Sequence, residues 1–139
     1  MTQKIENLVA INPVLQSVSY KKIDDAKGNF KIIVDEDITI DKVEKDNFIL
    51  IYSRNVYLKP KVLFEINTTF QIECKFDERA VIKYNGDLEK IQSFIEKNKK
   101  AIVHESRACG LSSLLVSQLT VIDNLNPMIL SARCEDEKM

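Results

Sequence analysis

The most regular stretch of the chain is VLFEINTTFQIECKF, Val62 to Phe76. Its even positions are Val62, Phe64, Ile66, Thr68, Phe70, Ile72, Cys74 and Phe76, and its odd positions after Leu63 are all polar or charged. A period of two places one face in a core and the other in water, so this segment is a strand. Three earlier segments behave similarly. Phe30, Ile32, Val34, Ile38 and Ile40 alternate in NFKIIVDEDITI, and Val14, Val18 and Tyr20 share a parity in VLQSVSYKKI. FILIYSRNVYL, Phe48 to Leu58, starts apolar on both parities, as an inner or interface strand does, and Pro60 marks its end. With Ala26-Lys27-Gly28-Asn29 as a hairpin turn, the pattern predicts a four-stranded antiparallel meander.

After Asn85-Gly86 the spacing becomes helical. Asp87 is placed to cap a helix whose apolar stripe is Leu88, Ile91, Phe94 and Ile95. A longer helix is predicted from about Lys100 to Ile122, stopped by Asn126-Pro127 and followed by MILSA and the charged tail CEDEKM. On that helix Ala108, Cys109, Leu111, Leu114, Leu115, Val116, Leu119, Val121 and Ile122 cover roughly two-thirds of the circumference. A helix lying on a sheet with its back to water needs an apolar arc of only about 100° or somewhat more. The remaining strip carries Ser106, Ser113 and Ser117, small enough to let another element approach. One four-stranded sheet cannot cover so much apolar surface. The economical second layer is another subunit, which predicts an oligomer with helices between sheets.

Composition narrows the class. With 139 residues, 45% hydrophobic and 29% charged, the chain is long and apolar enough for one folded domain and is not a disordered segment. Three cysteines, Cys74, Cys109 and Cys134, are odd in number and widely spaced, which excludes a disulfide framework and a zinc motif and fits a reducing, cytoplasmic setting. MTQKIENLVAINP interrupts its short apolar patch with an acidic residue and an asparagine, so it is not expected to be a signal peptide. Ala108 to Ile122, the longest uncharged run, has 15 residues and falls short of a membrane helix, so no membrane insertion is expected. Net charge is −1, and the densest basic cluster, Lys97 to Lys100, reads as complementing a helix dipole at a helix end, so nucleic acid is not expected as the partner.

Candidate chemistry is sparse. The single histidine, His104, has no supporting motif, and Cys109 reads as a buried structural thiol. Asp35, Glu36, Asp37, Asp41, Glu44 and Asp46 do not match a calcium loop and read as a solvated strand end that discourages edge pairing. No phosphate-binding glycine loop, nucleophile elbow or H-E-x-x-H occurs. No catalytic, cofactor-binding or metal-binding residue is assigned, and the chain is not expected to be an enzyme.

FILIYSRNVYL followed by KPKVLFEINTTFQIECKF resembles the third and fourth strands of the SecB family of export chaperones. DLEKIQSFIEKNKKAIVHESRACGLSSLLVSQLT resembles that family's paired helices, with NPMILSA in place of its short apolar segment. The resemblance spans residues 14 to 132. It implies an α+β fold, a four-stranded antiparallel sheet with two helices on one face, assembled as a tetrameric dimer of dimers. It also implies an ATP-independent holdase for unfolded polypeptide clients, with a translocase motor as partner. SecB-like proteins that serve antitoxins offer the alternative of a dedicated adaptor for one protein partner. Acidic docking of the motor is thinly represented here, with Glu65 and Glu73 beside Lys75 on the polar face of the fourth strand.

The expected organisation is an N-terminal segment 1–13, a single domain 14–132 and a charged tail 133–139. Ile49, Ile51, Tyr57 and Leu58 are apolar positions off the inferred core parity or at a strand end. They are the candidate polypeptide-binding residues, with a subunit interface as the alternative use of the same surface. Competing readings are a small enzyme using Cys109 or His104 and a structural subunit without a client.

Overall fold

The computed structural model describes residues 5–22, 31–59 and 64–122. Four strands, β1 (Leu8–Lys22), β2 (Lys31–Val43), β3 (Asn47–Lys59) and β4 (Phe64–Phe76), precede three helices, α1 (Glu78–Tyr84), α2 (Leu88–Ser106) and α3 (Ala108–Ile122). The Ala26–Asn29 turn, Asn126-Pro127, MILSA and CEDEKM lie outside the described residues. β1 begins at Leu8, ahead of the alternation around Val14.

All pairings are antiparallel, in the order β1-β4-β3-β2. The sheet is therefore not the expected meander: β1 lies beside β4, on the opposite edge from β2, which is a Greek-key arrangement. Three strand spacings amount to only about 14 Å, well within reach of the eight residues between Lys22 and Lys31, so a short connection does not force a hairpin. β3 is an inner strand, as its two apolar parities suggested.

The alternation in β4 is realised as read: Ile66, Thr68, Phe70, Ile72, Cys74 and Phe76 are all buried. In β1 it is not. The register shifts between Leu15 and Ser17, so Val18 and Tyr20 face Thr68 and Ile66 on the inner side while Val14 sits opposite Gln71 on the outer side. A bulge inserts one unpaired residue and flips every side chain beyond it, which is why Val14 parts from Val18 and Tyr20.

Helix boundaries follow identifiable caps. Asp77 opens α1 by accepting from the Ala80 N–H at 2.8 Å, and Asp87 opens α2 by accepting from Glu89 and Lys90. α1, a third helix, was not expected. Asn85 (φ 47°) and Gly86 (φ 73°) make the left-handed turn between α1 and α2. The predicted helix from Lys100 to Ile122 is broken at Arg107, which adopts φ 66° and donates its N–H to the His104 carbonyl. Ser106 accepts from the Ala108 N–H at 3.2 Å, which starts α3. Lys97 to Lys100 consequently lie within α2 and not at a helix end.

The core fills the space between the inner sheet face and the helices. Its main part packs Phe48, Leu50, Tyr52, Phe70, Ile72, Cys74 and Phe76 against Ala80, Tyr84, Ile91, Ile95, Ile102, Val103, Ala108 and Cys109. A smaller part joins Val56, Leu58 and Ile66 to Val116. Leu88, placed in the apolar stripe of α2 by its spacing, is exposed.

Candidate peptide-binding surface

Ile49, Ile51 and Tyr57 share the outer face of β3, away from the helices, and each is half-buried. Ile51 sits between Thr39 of β2 and Gln71 of β4, and Ile49 between Lys42 and Glu73. Ile49 also lines a depression of about 330 Å³ with Ala10, Asn12, Asn47, Glu73 and Lys75. Tyr57 lies between Ile33 and Glu65, and its phenol is raised above its ordinary pKa chiefly by hydrogen bonding to Asp35. The outer face of β3 thus carries an apolar pair, Ile49 and Ile51, separated from Tyr57 by Ser53 and Asn55, which bond Thr69 and Glu65 of β4.

Leu58 does not belong to it. One residue after Tyr57, it points to the inner face, is only 3% exposed, and packs with Val56, Ile66 and Val116. Its parity is that of Phe48, Leu50 and Tyr52, so alternation along β3 carried the signal that separates it from Ile49 and Ile51.

The inner face holds a polar row that sequence reading did not find. Glu36 of β2 lies opposite Arg54 of β3, and Arg54 lies opposite Thr68 of β4. Arg54 is 1% exposed. Its Nη1 donates to Ser113 Oγ at 2.7 Å and to the Cys109 carbonyl at 3.2 Å, both on α3, and its Nε lies 3.9 Å from Glu36 Oε2. Glu36 also accepts the Tyr52 hydroxyl, which in turn accepts the Cys109 thiol at 3.2 Å. Burial raises the Tyr52 phenol, reinforced by its hydrogen bonds to Cys109 and Glu36. Beside this group Thr68 and Ser112 share a hydroxyl–hydroxyl bond of 2.6 Å. Glu36 is therefore no member of a solvated acidic stretch: a carboxylate on the core side of β2 faces a guanidinium that needs it.

This row determines how α3 lies. Ser112 is fully buried and Ser113 bonds Arg54, so the serine side of the helix meets the sheet together with Ala108, Cys109 and Val116. Leu111 and Leu114 are turned out, 42% and 55% exposed. The expected two-sided helix is present, but the strip of small residues faces inward. Leu15 and Val18 of edge strand β1 are also exposed. His104 is exposed in the last turn of α2, while Cys109 is buried as a structural thiol would be.

Among the described residues no group of three or more metal-ligating side chains is assembled, and no helix is long and apolar enough to cross a membrane. No family model and no curated protein matches the sequence. Among solved structures the chain is similar to the SecB-like chaperone of Mycobacterium tuberculosis in complex with a ChAD peptide from the HigA1 antitoxin. The match has a TM-score of 0.57 at 12% identity, over 89% of this chain and 88% of that one. The open four-stranded antiparallel sheet with its helices on one face is thus an α+β fold shared with that SecB-like structure.

Proposed function

We propose that the protein is an ATP-independent SecB-like chaperone that holds non-native polypeptide on apolar surface and works as a homo-oligomer, a dimer of dimers, in the cytoplasm. The observation that supports the reading is the outward leucine side of α3, where Leu111 and Leu114 are exposed, in a fold whose similar solved structure is in complex with a peptide. Leu111 and Leu114 supply the subunit contact in this reading. Ile49, Ile51 and Tyr57 supply client contact on the outer sheet face, where extended chain meets apolar side chains without a shape-specific pocket. No catalytic step is needed.

A dedicated adaptor for one antitoxin is the second reading, favoured by the antitoxin peptide held by the similar chaperone. Delivery to a translocase motor would draw on Glu65 and Glu73, which share the outer face of β4 with Lys75.

Light scattering across a dilution series, with suppression of aggregation for several chemically denatured clients, tests these readings together. Tetramers, or dimers that pair further, that protect unrelated clients support the general holdase. Protection of a single partner supports the adaptor. Ile51→Lys is expected to weaken client capture without altering mass. A strict monomer that protects nothing refutes the proposal.

A further inference from the structure

The Lys97–Lys100 cluster acquires a context once it is placed inside α2. Lys90 and Lys97 are two turns apart and therefore lie on one side of the helix. Both line a groove of about 680 Å³ that α2 forms with the end of α1 and the segment from Ile5 to Asn7. Lys83, in the last turn of α1, lines the same groove. Three lysines thus converge on one concavity, where Glu6 is the only carboxylate in the lining among the described residues. Elsewhere on α2 Lys99 pairs with Glu96 at 3.0 Å. Within the groove Lys90 reaches Asp87 only at 3.9 Å, and Lys83 and Lys97 make no ion pair among the described residues.

Between the lysines the lining is mixed, with Asn7, Ser93 and Asn98 beside two aromatic rings, and Lys83 Nζ lies 5.7 Å from the Tyr84 ring centroid. Tyr84 and Phe94 line the groove with ring centroids 6.0 Å apart, and both rings rest on Phe76. Phe94 is half-buried, with an edge left for a ligand. The segment at the mouth is anchored: the Asn7 carbonyl accepts from the Asp77 N–H at 2.9 Å. A concavity with a cationic rim and an aromatic wall complements an apolar side chain flanked by carboxylates. The two rings are inclined at 51°, which gives no flat platform for stacking bases, and a small inorganic anion would leave the aromatic wall unused.

We infer that the α1–α2 groove is a docking site for an acidic peptide segment carrying an aromatic or large aliphatic anchor, with Lys83, Lys90 and Lys97 pairing its carboxylates and Phe94 meeting its anchor. The inference rests on the peptide-binding reading above and assigns the partner a chemistry. It places the contact on a surface separate from the outer sheet face.

The test is fluorescence anisotropy on the full chain with three probes. These are a labelled dodecapeptide of leucine and phenylalanine interspersed with glutamate, the same peptide with every glutamate changed to glutamine, and a twelve-residue oligothymidylate. At low salt the acidic peptide is expected to bind about tenfold tighter than the glutamine peptide, the sum of a few exposed charge pairs. That preference is expected to collapse at high salt and in Lys83→Glu/Lys97→Glu, and to persist in Ile51→Lys. Phe94 lines the core as well, so circular dichroism should confirm that Phe94→Ala is folded before its expected loss of affinity for both peptides is scored. Equal binding of the two peptides, or a preference that survives the double lysine reversal, overturns the inference. Oligothymidylate binding as tight as the acidic peptide overturns the peptide assignment. If neither peptide binds while denatured clients are still protected, the groove assignment fails and the chaperone reading stands. If clients are unprotected as well, both fail.

Discussion

Removing the carboxylate of Glu36 tests whether the polar row is a structural keystone. In Glu36→Ala the Arg54 guanidinium, 1% exposed in the native protein, loses the carboxylate 3.9 Å from its Nε, while the Cys109 carbonyl and the Ser113 hydroxyl remain as acceptors for its Nη1. The Tyr52 hydroxyl loses its acceptor at the same time. Breaking a buried ion pair from one side costs about 3–5 kcal/mol, mostly because the surviving charge is stranded. The phenol adds a desolvation penalty of about 1–3 kcal/mol where no water replaces the carboxylate. The two do not simply add. The Glu36 side chain is 12% exposed, so its removal opens a route for water to the vacated site. A net loss of about 3–5 kcal/mol follows, a large part of the ~5–15 kcal/mol that holds a domain of this size.

Urea unfolding followed by circular dichroism, at one fixed protomer concentration, reads that loss as a fall in midpoint at constant slope. Glu36→Gln keeps an acceptor for Tyr52 and should fall in between. Glu36→Leu combined with Arg54→Met removes both charges, so it should recover most of the loss, since apolar replacement of a whole buried pair is often neutral or better. Glu44→Ala, which removes an exposed partner of Lys42, should leave the midpoint unmoved. A Glu36→Ala protein within about 1 kcal/mol of wild type, with an unchanged slope, would refute the assignment of Glu36 as the buried counter-ion.

Two further perturbations address the same core. Burial pushes the Cys74 thiol from 9.0 up to about 12, so the folded state holds this proton where the unfolded chain releases it. Its contribution is complete below pH 9.0 and is lost as pH climbs towards 12, at about 1.4 kcal/mol per unit. Cys74→Val should therefore flatten the alkaline fall in stability without abolishing it, because Tyr52 and Tyr84 are raised too; an unchanged slope from pH 9 to 11 would count against it. Thr68→Val strands the fully buried Ser112 hydroxyl and should cost about 1–3 kcal/mol in the same urea assay. Adding Ser112→Ala should return most of that, whereas independent, additive losses would show that the two hydroxyls are not partners.

What was legible in the sequence was whatever depends on neighbours along the chain. β4 reads cleanly because one face meets the helices along its length, and Asp87 reads as a cap because an N-cap is a local device. Parity in β1 fails at one bulged residue. The break at Arg107 fails because an arginine in left-handed backbone leaves no glycine or proline to mark it. Strand order fails because the short connection to β2 fits either arrangement. The polar row was a different kind of omission, since its two halves were visible separately. Arg54 shares the parity of Phe48, Leu50, Tyr52 and Val56, and Glu36 shares that of Val34, Ile38 and Ile40. An arginine on a core parity requires a counter-ion, and the neighbouring strand offered one carboxylate on the matching parity.

That omission bears on the candidate surfaces. A sheet whose inner face carries Arg54 and Thr68 cannot be covered by leucines alone. It takes the serine side of α3, with Ser112 and Ser113 as partners, and so directs Leu111 and Leu114 outward. Replacing the row with apolar residues would therefore change more than stability. It would remove the reason for α3 to hold its leucines away from the core, and the exposed leucine surface would lose the contact that fixes its orientation. The polar row and the uncovered helix face are two sides of one packing decision, and a variant that keeps the first should keep the second.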